Sequence, residues 1–371
     1  MADTALYPKL ITDALATVRY PGTGKNIVEM GMVEDDIRIE GRKVSFSIKF
    51  SKPTDPFIKS IVRAAEAAIL TRVGSDVDIK GNIAVKTPQQ AAKAAQTDQP
   101  LAGVKNIIGV SSGKGGVGKS TVASNLAVSL AQLGYKVGLL DADIFGPSMP
   151  KMFGIEDEQL YVHPVDGKNL IIPAEKYGVK LLSIGFVVDK DKAVLWRGAM
   201  ASNALKQLIC EAEWGDLDYF IIDMPPGTSD IHLTLVQTLA MTGAIVVTTP
   251  QEVALADARK GVSMFLGQQV GVPVLGIVEN MSWFTPAAHP GEKYFIFGKD
   301  GGKHLAESLG VELLGQIPLV AGICRGGDDG VPVTLQNSVS GASFMQLART
   351  VVEAVDKRNA TMPPTHKVDT H

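Results

Sequence analysis

The chain has 371 residues, 45% hydrophobic and 20% charged, with a formal net charge of −3. That apolar content supports two or three globular domains on the usual scale of about 150 residues each, and the near balance of charge offers no broad nucleic-acid footprint. Two cysteines far apart, Cys210 and Cys324, exclude a disulfide framework, and no apolar run reaches the ~20 residues that span a bilayer.

The opening stretch, MADTALYPKL, has no basic region followed by an apolar core, so no secretory signal is expected and the chain reads as cytoplasmic. Residues 1–86 read as a small α+β domain. A helix is expected over Leu6–Val18, then a half-buried strand in which Val44, Phe46, Ile48 and Phe50 alternate with polar residues. After SKPTDP come a helix from Pro56 to about Val73 and a strand within DIKGNIAVK. Residues 87–104, rich in Ala and Gln without apolar periodicity, read as a linker.

From residue 105 to 358 short apolar strands alternate with helical stretches: NIIGVS, KVGLLDAD, VKLLSIGF, DYFIIDMPP, GAIVVTTP and VPVLGIVENM. Such alternation predicts an α/β fold with a mostly parallel sheet, helices on both faces, and ligands at the carboxyl ends of the strands. A last helix is expected around Ser340–Val355. Residues 359–371 read as a polar, disordered tail.

The stretch SSGKGGVGKST, Ser111–Thr121, fits the P-loop pattern G-x-x-x-x-G-K-[ST], with Gly113 and Gly118 framing the loop and Lys119 and Ser120 closing it. Its context is right: an apolar, β-branched strand precedes it, and Val122, Leu126, Leu130 and Leu133 follow at helical spacing up to Gly134. Glycines at 113, 115, 116 and 118 let backbone N–H groups around Lys114, Val117 and Thr121 close on phosphate oxygens at a helix N-terminus. Lys119 is expected to reach the β- and γ-phosphates of ATP, and Ser120 to bind Mg²⁺.

Two further strands end in acids. Asp223, closing YFIID, takes the position that holds the Mg²⁺ shell, and the PPGTSD loop after it suits γ-phosphate sensing. Asp141 and Asp143 close GLLDAD. One of them could orient or deprotonate the attacking water; taken alone, both also read as caps of the next segment.

These motifs carry a family resemblance. KGGVGKST, with Lys114 before Gly115–Gly116, resembles the deviant P-loop of MinD/ParA-like ATPases. That resemblance implies a homodimer in which Lys119 serves its own subunit and Lys114 reaches across to the partner's nucleotide. DADIFGPSMPKMFG, WRGAM, DYFIIDMPPGTSDIHLTL, TTPQEVALADARKG and GIVENMS are similar to Mrp/ApbC-type iron-sulfur cluster carrier ATPases over residues 105–355. The resemblance implies that Asp143 is the hydrolytic acid and an Mg²⁺ ligand, directly or through water, that Asn280 contacts adenine, and that scaffold and client apoproteins are the partners; the balanced charge and a polar tail without an amphipathic anchor point to neither nucleic acid nor membrane. Residues 1–86 resemble the small domain of iron-sulfur and metal-sulfur assembly proteins.

Members of this family carry Cys-x-x-Cys after ENMS, where the dimer holds a 4Fe-4S cluster. This chain reads ENMSWFTPAAHPGEKYFIFG there, with no cysteine between Cys210 and Cys324. Thiolates normally hold such clusters, so three arrangements stand: a cluster bound through Cys324 of both subunits with His289 or His304 assisting, thiols supplied by another protein, or a different cargo. On residue type alone Cys324 reads as a small buried hydrophobe and Cys210, in ALKQLICEAEW, as core. WFTP and YFIF read either as a client or dimer surface or as internally packed strands. The competing classes are a spatial-organising MinD/ParA-like ATPase and a scaffold with a purely structural nucleotide.

Overall fold

The computed structural model describes the chain except for residues 1–5, 22, 35, 51–54, 87–99, 166–167, 187–197, 268, 287–288, 290 and 369–371. It divides into two compact units, Met1–Ala102 and Gly103–His371. Most of the linker segment and of SKPTDP, with Trp196 and Arg197 of WRGAM, lie outside the described residues.

In the first unit, helix α1 (Pro8–Leu15) starts with proline in its first turn, where a missing N–H costs nothing. Strands β1 (Arg38–Glu40) and β2 (Lys43–Lys49) pair antiparallel, helix α2 (Ile58–Arg72) follows, and β3 (Ile83–Lys86) pairs parallel to β2. Val44, Phe46, Ile48 and Phe50 are all buried, as the alternation requires, against Ile11 and Leu15 of α1 and Ile61, Ala65 and Ile69 of α2. Of DIKGNIAVK only Ile83–Lys86 is a strand; Asp78 makes a single bridge to Lys43.

The second unit begins with β4 (Val104–Ser112), the P-loop, α3 (Lys119–Gln132), β5 (Val137–Asp141) and the one-turn α4 (Met149–Met152). A two-stranded ribbon follows, β6 (Tyr161–Val165) with β7 (Lys168–Ile172), then β8 (Ala174–Lys176) and β9 (Val179–Ser183). Next come α5 (Gly198–Cys210), β10 (Leu217–Asp223), α6 (Asp230–Thr238), β11 (Gly243–Thr248) and α7 (Glu252–Leu266). The unit finishes with β12 (Val274–Glu279), α8 (Gly301–Leu309), β13 (Leu313–Gln316), α9 (Ala321–Asp328) and α10 (Val339–Thr361).

The eight-stranded sheet runs β13-β12-β11-β4-β10-β5-β9-β8, parallel except for the edge pair β8–β9. Helix α3 is buried nearly all round, from Val122 to Leu130, because it lies between the sheet and α10. On β4, Ile108 and Val110 join the core with Val122, Leu126 and Leu130 of α3 and Phe344 and Leu347 of α10. On the sheet's opposite side a side chain at Gly109 would collide with Met224 and Met241. Strands buried on both faces explain why the sequence shows apolar runs rather than alternation.

The C-terminus corrects the sequence reading. Helix α10 continues through residues 359–361 to Thr361, and the following chain turns back, with Arg358 Nη2 donating to the Pro363 carbonyl and Val368 N–H to that of Val236. The segment read as a polar, disordered tail is therefore helix and a docked strap up to Val368, because those backbone donors and acceptors find partners.

Candidate functional site: a nucleotide cradle at the carboxyl edge of the sheet

The P-loop leaves the carboxyl end of β4 at the middle of the sheet and ends in α3, whose first residues are Lys119 and Ser120. Gly116 and Gly118 both have φ of +82°, a region that side chains disfavour. Gly118 is also crowded: an added Cβ would stand 2.2 Å from Asn280 Nδ2. At Gly113 an added Cβ would stand 2.1 Å from the carbonyl carbon of Asp257, so α7 packs backbone to backbone against the loop. Lys114 is half-buried, and its ammonium has no hydrogen-bond or ion-pair partner among the described residues.

Behind the loop lies a buried charge cluster. Lys119 Nζ donates to Asp223 Oδ1 at 2.6 Å, to Ser120 Oγ at 3.3 Å, and approaches Asp143 Oδ2 at 3.4 Å. Ser120 Oγ donates to Asp223 Oδ2 at 2.6 Å. Burial pushes the Asp223 carboxyl above the usual carboxylate range against the pull of Lys119. The site thus has more carboxylate than one ammonium offsets, and its donors are hard oxygens. Ser120, Asp143 and Asp223 fit Mg²⁺ on both counts.

The two acids of Asp-x-Asp separate in role. Asp141 is fully buried and accepts from the backbone N–H of Asp143, Ser148 and Met149 and from Ser183 Oγ, all within 2.9–3.2 Å. It caps the segment beyond β5, and burial with the nearby Asp223 charge raises its carboxyl to about 7. Asp143 is left facing Lys119 at the mouth of the cluster.

Asn280 follows the end of β12 and donates through Nδ2 to the Val117 carbonyl at 2.9 Å, tying the β12 end to the P-loop. The preceding Glu279 is fully buried and accepts from the N–H of Gly302 and from Gln316 Nε2, which fixes the start of α8. Neither contact is legible in a single sequence beyond a polar pair closing an apolar strand. His232 is a second residue that sequence reading missed. It stands three residues after Ser229 in a capping box, the spacing where glutamate is usual. Its Nδ1 accepts from Ser229 N–H at 3.2 Å, which leaves the proton on Nε2, 3.5 Å from Ser111 Oγ.

The thiols depart from expectation. Cys210 and Cys324 are both exposed, not core residues, because Cys210 ends α5 and Cys324 lies on the outer side of α9. Cys324 Sγ is 3.6 Å from Asp328 Oδ2. His289 faces Glu292, and among the described residues no group of three or more His, Cys, Asp or Glu is arranged to hold a metal. In the segment that replaces Cys-x-x-Cys, Phe284 and Tyr294 exchange backbone hydrogen bonds, Lys293 stacks on Trp283, and Tyr294, Phe295 and Ile296 are exposed.

A parallel α/β sheet whose central strand feeds a glycine loop, a buried lysine and a Ser–Asp pair defines a P-loop nucleoside triphosphatase. Comparison with known proteins makes this specific. The model of the ParA family, described as NUBPL iron-transfer P-loop NTPase, matches residues 103–354, and a model described as iron-sulfur cluster assembly protein matches residues 9–80. The chain belongs to the ParA family of NUBPL-type iron-transfer P-loop NTPases. It is 45% identical over 353 residues to a protein of Synechocystis sp. named iron-sulfur cluster carrier protein, covering 93% of this chain and 98% of that one. A nucleotide-binding protein of Archaeoglobus fulgidus solved with ADP is 35% identical, with TM-score 0.57 over 67% of this chain and 96% of its own. The septum site-determining protein MinD of Pyrococcus horikoshii with Mg-ADP is 25% identical, with TM-score 0.50 over 68% of this chain and 98% of its own.

Proposed function

We propose that this protein is an ATP-dependent carrier that binds iron-sulfur clusters and passes them to client apoproteins in the cytoplasm. The observation that carries the reading is the match to the iron-transfer NTPase family over the unit that holds the cradle, joined in one chain to an assembly-type match over residues 9–80. The relative of nearly equal length bears the name of a cluster carrier.

In this reading Gly113–Thr121 wrap the phosphates, Lys119 neutralises them within its own subunit, and Ser120, Asp143 and Asp223 hold Mg²⁺, which neutralises charge on the β- and γ-phosphates. Asn280, already seated on the loop, contacts adenine. Asp143 orients the attacking water, and hydrolysis is slow. Lys114, unpartnered among the described residues, completes the site of a second copy, as an arginine finger supplied in trans does. Residues 1–86 form the assembly-type domain and 87–102 the linker, and the ATPase runs from Gly103 through the last helix to Thr361.

The absence of Cys-x-x-Cys moves the cluster ligands elsewhere. Cys324 is exposed, so one thiolate from each copy is available to a cluster held across a dimer, with the remaining iron positions open to thiols of the receiving protein. The test is anaerobic transfer of cluster to an apo client enzyme, read as recovered client activity. Transfer that depends on ATP and fails in Asp143→Asn is expected; client activation at the same rate without this protein would refute the carrier reading.

A further inference from the structure

The second unit has a cavity of about 360 Å³ at the amino-terminal edge of its sheet, the edge opposite the nucleotide cradle. Its apolar wall is made by Leu266 at the end of α7, Val274 and Leu275 of β12, Leu309 and Val311 around the end of α8, and Ala354 of α10. The volume falls within the range of small-molecule sites. Thr361 and Met362 close one side. At the rim Glu312 and Lys357 pair with each other, so neither charge is free for a ligand.

Arg358 is the exception. It lines the cavity, is 9% exposed, and among the described residues has only neutral acceptors: Asn359 Oδ1 at 3.1 Å and the Pro363 carbonyl at 2.7 Å. Its Nε is buried without a hydrogen-bond partner among the described residues. Burial lowers the guanidinium pKa, and among the described residues no carboxylate offsets it. A buried cation without a counter-ion is costly, and an apolar cavity beside it supplies no compensation of its own.

We propose that this cavity binds a small aliphatic monocarboxylate, its chain against the leucine and valine wall and its carboxylate on Arg358. One charge rather than two fits, because Arg358 is the one lining cation that the described residues leave without an ion pair. One fork-shaped guanidinium with two nitrogens already engaged suits one carboxylate.

The test uses the full-length protein and octanoate as probe, titrated calorimetrically with octanol as the uncharged control. Saturable octanoate binding is expected, with octanol and Arg358→Gln each weaker by about tenfold or more. Ala354→Leu, which fills the cavity while keeping Arg358, should lose octanoate binding yet keep ATP binding, and circular dichroism melts verify that each variant is folded. No saturable binding of octanoate to the wild type, or equal affinity for octanol, overturns the proposal without recourse to any variant. Equal octanoate affinity in folded Arg358→Gln overturns it as well.

Discussion

Lys119 and Asp223 form a buried ion pair, Nζ to Oδ1 at 2.6 Å, and the hydroxyl of Ser120 takes the other carboxylate oxygen at the same distance. The two residues proposed to meet nucleotide and Mg²⁺ are thus the two that satisfy Asp223. Lys119→Ala strips a fully buried carboxylate of its cation. The expected loss is about 3–5 kcal/mol of stability, the usual cost of breaking a buried pair, together with nucleotide binding. Urea unfolding and a fluorescent-ATP titration check the two separately; intact ATP affinity in the variant would contradict the assignment.

The Asp143 carboxylate stands 3.4 Å from Lys119, and the hydrogen bond that Asp143 gives Asp141 comes from its backbone N–H, which a side-chain substitution leaves in place. Asp143→Asn should therefore leave folding and ATP binding within about twofold while lowering turnover by roughly a hundredfold or more. Phosphate release under saturating ATP measures it. Asp141→Asn should instead lower stability, because Asp141 anchors Asp143, Ser148, Met149 and Ser183 at once.

Lys114 has no internal role to lose among the described residues, so Lys114→Ala should fold and bind ATP like the parent. If its ammonium works in trans, turnover falls by about 10³-fold, the lower end for a finger residue. Mixing Lys114→Ala with Asp143→Asn should restore part of the activity, since each defect then lies in a different half of a composite site. Turnover equal to wild type in Lys114→Ala would remove the trans role.

His232 gives a pH signature. Burial lowers its imidazole to about 4, so it stays neutral in the fold while the unfolded chain protonates near 6.5. Between those values the unfolded state binds the additional proton, and stability falls by up to about 1.4 kcal/mol per pH unit as pH drops. The stability is fully present above pH 6.5 and lost progressively toward pH 4. His232→Gln should flatten this part of the stability–pH curve relative to wild type; parallel curves would show that His232 does not titrate as its burial requires.

Gly118 meets two constraints at once, a left-handed backbone and the amide of Asn280 at 2.2 Å from an added Cβ. Gly118→Ala should cost stability and weaken ATP binding. Combined with Asn280→Ala it should cost less than the sum of the two single changes, since residues in contact couple. Strict additivity in a double-mutant cycle would place Asn280 away from the loop.

Much of this site is legible in the sequence because its parts are local. Gly113 to Thr121, Asp143 and Asp223 each sit at the end of an apolar strand, and parallel strand ends converge. What is not legible depends on partners far away in the chain. The contact of Gly113 with Asp257, the tie of Asn280 to Val117, and the bond of Val368 to Val236 that seats the C-terminal strap need the fold to bring them together. Cysteine exposure is illegible for a related reason: Cys210 and Cys324 lie in amphipathic helices, and residue type alone does not say which side of the helix faces out.

The most direct measurement is anaerobic reconstitution of the purified protein with iron and sulfide, both counted per dimer, alongside the Cys324→Ser variant. A stoichiometric cluster is expected in the wild type and lost in Cys324→Ser while ATPase activity persists. A wild type that hydrolyses ATP normally and holds no cluster would contradict the carrier reading.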